Sequence, residues 1–96
     1  MTKELGKIEK ATFGYSDYLF GLHLTLSGAG WGVSKSYAYS TMAYLGYERI
    51  EGIILEIQGL LDDAKVKTID KLIGKPVEVT FENNLLKSLR ILTEVL

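Results

Sequence analysis

The sequence predicts an α+β domain: an antiparallel sheet of four to five strands, one long amphipathic helix on one face and one short helix. Three observations predict it. Residues 19–27 alternate strictly, with Phe20, Leu22, Leu24 and Leu26 on one side and Gly21, His23, Thr25 and Ser27 on the other, as a half-buried strand does. Residues 47–64 set Ile50, Ile53, Ile54, Ile57, Leu60, Leu61 and Ala64 on one stripe with the 3.6-residue repeat of a helix. Near the end, Val77, Val79 and Phe81 alternate with Glu78, Thr80 and Glu82 ahead of Asn83-Asn84, a hairpin signal. Strands, then a helix, then a hairpin is the order of an α+β layer.

The elements follow in order. Residues 7–13 read as a short strand that bends at Gly14, with Tyr15, Ser16 and Asp17 suited to a turn. The alternating strand 19–27 ends at Gly28 and Gly30. Residues 33–39 return as a third strand, with Val33, Lys35, Tyr37 and Tyr39 on one side and Gly32, Ser34, Ser36 and Ala38 on the other. So bare a face implies something lying close against it. In the helix, Gly52 and Gly59 each cost about 1 kcal/mol of propensity relative to alanine, which invites either a close backbone contact or simple tolerance by the core. Leu55 lies off the stripe, exposed or at a subunit contact. Thr68 caps a short helix, 69–73, that Gly74 closes. For the last hairpin, a three-residue loop at 83–85 sets Val79 opposite Leu89, Val77 opposite Ile91 and Glu78 opposite Arg90. A strict Asn-Asn turn would set Val79 against Ser88, so the first register is preferred. The apolar end, residues 91–96, is expected to be paired or docked.

Ninety-six residues make a single domain, 1–96. An apolar fraction of 47% with a net charge of −1 argues against disorder and against a dedicated nucleic-acid binder. No cysteine is present, so no disulfide or thiolate site is expected, and a reducing cytoplasm is the expected compartment. Neither a signal peptide nor an apolar run of bilayer length is apparent, so no membrane association is expected.

Motif chemistry is sparse. The single histidine, His23, and the adjacent Asp62 and Asp63 match no metal-binding spacing, and no cofactor is implied. No serine sits in a GxSxG elbow. His23 as a base with Asp17 or Glu48 beside it is the catalytic alternative. Gly28, Gly30 and Gly32 are spaced GxGxG, but a strand follows rather than a helix, which disfavours a dinucleotide loop. A bare turn of N–H groups with Lys35 nearby still suits an anion. Lys65, Lys67, Lys71 and Lys75 are diluted by Asp62, Asp63 and Asp70 and make no nucleic-acid track. Tyr15, Tyr18, Trp31, Tyr37, Tyr39, Tyr44 and Tyr47 crowd one part of the chain. Such rings finish a small core, form a protein interface or stack on a planar ligand.

Residues 13–40, with Gly-Trp-Gly-Val at 30–33, and residues 60–96, from Pro76-Val-Glu-Val-Thr-Phe-Glu to Arg90-Ile-Leu-Thr-Glu-Val-Leu, resemble a family of small proteins found in bacteriophages and prophages. The resemblance runs over nearly the whole chain. It implies an accessory protein in the cytoplasm of an infected bacterium and supplies no catalytic residues; Lys35-Ser36-Tyr37 departs from the relatives' pattern near the glycine loop. By analogy with such accessory proteins, the expected function is non-enzymatic binding: sequestration of a nucleotide-type defence signal, or inhibition of a host protein, by a homo-oligomer. The expected site is Gly30, Trp31, Gly32, Ser34, Lys35, Tyr37, Tyr39 and Arg49, with the rings stacking and Lys35, Arg49 and backbone N–H groups meeting anionic groups. A small hydrolase or lyase using His23, or a phage structural or assembly protein, is the alternative.

Overall fold

A computed structural model describes residues 1–42 and 48–95. Five strands, β1 (Thr2–Ser16), β2 (Leu19–Gly28), β3 (Trp31–Ser40), β4 (Pro76–Glu82) and β5 (Leu85–Ile91), form one antiparallel sheet in the order β3-β2-β1-β4-β5. Helix α1 (Ile50–Ala64) packs on one face, chiefly against β3 and β5. The thinnest dimension, 18 Å, fits one helix layer on one sheet. The expected short helix is instead a 3₁₀ turn, Ile69–Leu72, and a second such turn spans Thr93–Val95. Thr68 makes no side-chain cap there. The expected helix start at residue 47 and the end of the chain at Leu96 lie outside the described residues.

β1 is the element the sequence pattern understates. It runs straight through Gly14, and the turn falls at Asp17–Tyr18, between the paired Ser16 and Leu19. Its first part, Thr2–Lys7, pairs with β4, and the stretch from Gly6 onward pairs with β2. A bulge at Glu9 shifts the register between Ile8 and Lys10. An extra residue in one strand reverses which side chains face which way beyond it. Ile8 therefore shares the helix-covered face with Ala11 and Phe13, opposite Leu26, Leu24 and Leu22.

The core is that covered face. Ile8, Leu22, Leu24, Leu26, Val77 and Val79 of the strands are fully buried beneath Ile53, Ile57, Leu60 and Ala64 of α1, and Leu72 of the 3₁₀ turn is fully buried in the same cluster. Burying a large aliphatic side chain contributes about 1.5–3 kcal/mol, so these alternating rows hold the two layers together. Ile54 and Leu55 remain half or more exposed, at 51% and 59%. Around Gly52 and Gly59, apart from the helix's own backbone, nothing among the described residues lies within 4 Å of where a Cβ would stand. The helix glycines thus accommodate no close contact among the described residues.

The last hairpin has the expected register, with Val77 opposite Ile91, Glu78 opposite Arg90 and Val79 opposite Leu89. Its loop differs from expectation. Asn83 and Asn84 form a two-residue turn with φ of 53° and 63°, the doubly left-handed geometry that matches the sheet twist. The extra residue sits in a bulge at Lys87, between the Thr80–Ser88 and Phe81–Leu86 pairs. Glu78 binds the Arg90 guanidinium at 3.1 Å, and Arg90 holds Glu94 at 3.0 Å. Ile91 is buried, but Val95 is 63% exposed, so the tail is only partly docked.

Candidate functional site

The Gly28–Trp31 hairpin creates the most distinctive feature of the surface. Ala29 and Gly30 make a two-residue turn, and only Gly30 takes a left-handed φ, 79°. The turn sends Trp31 back onto the covered face, opposite Gly28, which itself pairs with Gly6. The indole lies across both glycines. A Cβ on Gly6 would stand 2.7 Å from the indole Cζ2, and one on Gly28 would overlap the ring. The far edge of the indole meets Phe81 of β4 edge-on, with centroids 5.5 Å apart. The bare side expected along β3, Gly32, Ser34, Ser36 and Ala38, instead faces away from the helix; the backbone that Trp31 covers is that of Gly6 and Gly28, on β1 and β2 of the same chain.

Beyond the indole the sheet has a notch. β2 stops at Gly28, level with Gly6, while β1 continues to Thr2 with β4 on its other side. The result is an open cleft of about 450 Å³ between the two hairpin turns, floored by Trp31, Val33 and Phe81 and rimmed by Thr2, Glu4 and Asn84. Glu4 is the one charged side chain lining it among the described residues. A second recess, about 130 Å³, lies at the opposite end of the same face, where Phe13, Phe20 and Tyr39 meet Ile50 and Ile54 of α1. Phe20 anchors it through edge-on contacts with Phe13 at 5.5 Å and Tyr39 at 6.0 Å. Phe13 and Tyr15 are 51% and 70% exposed there.

The expected site is split among these places. Gly30 and Trp31 line the large cleft. Tyr39 belongs to the second recess. Tyr37 lies between them, packed against the core, and its hydroxyl pKa is pushed up to about 12 by burial and then by the Glu56 carboxylate. Lys35 folds over the Tyr37 ring, its Nζ 5.4 Å from the centroid. Gly32 and Ser34 face the opposite, helix-free side, because their β2 partners are Ser27 and Thr25. Arg49 is exposed immediately before α1. Lys35, Arg49, Gly32 and Ser34 thus do not join Trp31 in one site. The reason is parity: odd and even residues of β3 point to opposite faces, and the length of the strand separates the rest. Tyr44 and Tyr47 lie outside the described residues. The sequence reading missed Glu4 and Gly6, whose only signal is alternation with Ile8 in a segment that looks charged and irregular; it placed Phe81 on one face with Val77 and Val79 but not in the site.

The uncovered face carries His23. Its Nε2 donates to the carbonyl of Gly14 at 3.0 Å, so Nδ1 is the acceptor for the Ser36 hydroxyl at 2.8 Å. The imidazole spans β1, β2 and β3 as a cross-strand tie. Neither Asp17, in the turn, nor Glu48 is its hydrogen-bond partner. No cluster of three metal-binding side chains occurs among the described residues, and no described helix is long and apolar enough to cross a membrane.

No model of a known protein family matches the chain, and no curated protein or solved structure matches it significantly.

Proposed function

We propose that this protein acts by binding rather than turnover, and that its Trp31 cleft receives an apolar side chain of a partner protein, with a cationic neighbour held against Glu4. The observation that supports the reading is the indole itself. It is partly exposed, fixed in place over two glycines, and opens onto a 450 Å³ cleft with one carboxylate at the rim. A rigid aromatic beside a recess is the usual anchor of a protein contact. A polyanionic nucleotide fits less well, since its phosphates would face Glu4, and Lys35 and Arg49 are elsewhere. The setting, the cytoplasm of an infected bacterium, rests on the resemblance to phage proteins alone.

Trp31 is the sole tryptophan, so its fluorescence reports the cleft directly. Short peptides pairing an aromatic or aliphatic residue with Arg or Lys are expected to shift its emission and to lose affinity about tenfold in Glu4→Gln. Cyclic dinucleotides and ADP-ribose are expected to leave the emission unchanged. A response to nucleotides and not to peptides would reinstate the nucleotide-signal reading. No response to either class would remove the cleft as the site.

The catalytic alternative retains one supporting observation, the Ser36–His23–Gly14 carbonyl chain, which has a nucleophile, a base and an orienting acceptor. It stands on a flat, open sheet face without a recess for substrate, which weighs against it. Covalent labelling of Ser36 by a fluorophosphonate, abolished by His23→Ala, would favour hydrolysis; no labelling is expected.

A further inference from the structure

The two outer edges of the sheet are built differently. β5 is seven residues long, broken by the bulge at Lys87, and bears Lys87 and Arg90. Short length, a bulge and charge are the usual protections of a free edge against pairing with another strand. β3 has none of the three to the same degree. It is ten residues long, pairs with β2 without a register break, has no proline and carries one charge, Lys35. Nothing among the described residues pairs with its outer side.

The direction of its backbone groups follows from the hairpin. In a two-residue hairpin the residues flanking the turn exchange hydrogen bonds, so Trp31 points its N–H and C=O at β2. The Thr41 N–H donates to the Tyr18 carbonyl at 2.9 Å, which shows the same parity ten residues later. The odd residues of β3 are therefore committed to β2. The outward groups belong to Gly32, Ser34, Ser36, Ala38 and Ser40. All five have small side chains, and they leave a second strand unobstructed.

We propose that β3 pairs antiparallel with β3 of a second copy of this chain, joining two sheets into one of ten strands around a two-fold axis at Ser36. Three features select this partner and register. Antiparallel pairing about Ser36 matches outward groups with outward groups: Ser36 with itself, Ser34 with Ala38, Gly32 with Ser40. On the helix-covered face it sets Val33 opposite Tyr39, apolar against aromatic. It also sets Lys35 opposite Tyr37 of the other copy, a cation against an aromatic ring. The neighbouring register, centred on Lys35, would oppose two lysines and is disfavoured. On the other face the axis brings the two Ser36 hydroxyls together, each held by its own His23.

The chain has no cysteine, which makes the register directly readable. Opposed hydrogen-bonded residues of an antiparallel pair have Cα atoms about 5.5 Å apart, within disulfide reach. Ser36→Cys is expected to form a covalent dimer under mild oxidation. Ser34→Cys is not, because its counterpart would lie four residues along, about 13 Å away. Sedimentation of the unmodified protein is expected to show a dimer. Ser34→Pro, which removes only an outward N–H, is expected to be a folded monomer by the same measurement and by circular dichroism. A monomer at all concentrations up to about 100 µM overturns the proposal. So does a dimer in which the Ser34→Cys variant crosslinks and the Ser36→Cys variant does not. If Ser34→Pro fails to fold, the crosslinking pair alone decides between the outcomes.

Discussion

A single ring and the two glycines beneath it show how local the constraints are. Gly28→Ala places a Cβ into the indole of Trp31. The ring must swing away, at a cost of about 1–3 kcal/mol for overpacking, with a change in Trp31 emission. Gly32→Ala, on the open face with nothing nearer than 3.8 Å, is expected to be neutral or slightly stabilising, by up to about 1 kcal/mol. Urea unfolding of the two variants checks the contrast. Tyr37 gives a pH signature of its own. Its folded pKa, about 12, is raised above the unfolded value of 10. The stability this contributes is fully present below pH 10 and is lost as pH rises from 10 through 12. The loss is on the order of 2–3 kcal/mol, and Tyr37→Phe is expected to remove that alkaline decline from a stability–pH profile. The sequence showed that Tyr37 and Tyr39 share a face. It did not show that Gly6 would be the floor beneath Trp31, because that requires knowing which strands are neighbours.

At the scale of elements, the amphipathic patterns were the legible part. The rows on β2 and β4 face the core as their alternation implies, since a period of two leaves no other way to bury Leu22, Leu24, Leu26, Val77 and Val79. Helix α1 likewise buries the centre of its stripe, at Ile53, Ile57, Leu60 and Ala64. Bulges were less legible, although the spacing Ile8, Ala11, Phe13 carries one: an apolar row that skips from even to odd positions needs an extra residue between. The Lys87 bulge was concealed differently, because moving the extra residue into the turn gives the same downstream register. No contact among the described residues explains the two helix glycines. Gly52→Ala and Gly59→Ala are each expected to stabilise the protein by up to about 1 kcal/mol through helix propensity, measurable as additive rises in the urea midpoint.

For the whole molecule, the order of element types announced an α+β layer, but the strand order β3-β2-β1-β4-β5 was not legible. It depends on β1 reaching from Thr2 to Ser16, and its first residues, Thr-Lys-Glu-Leu-Gly, have no strand pattern of their own. They are extended because β4 pairs with them, from Thr2 opposite Phe81 to Lys7 opposite Pro76. The candidate site inherits that dependence. The cleft exists because β1 outruns β2 at one end, a relation between strands that no stretch of sequence carries alone.

The divided allegiance of β1 has a kinetic corollary. Its pairing with β2 needs only a tight turn, whereas meeting β4 requires closing a loop that takes in most of the polypeptide, an entropic toll levied before any reward arrives. Residues 2–40 can zip together as a neighbourly meander, and the 76–91 ribbon must then be recruited from afar. In native-state hydrogen exchange, amides of that ribbon are expected to surrender protection collectively, at a lower opening free energy than those of Leu22 to Leu26.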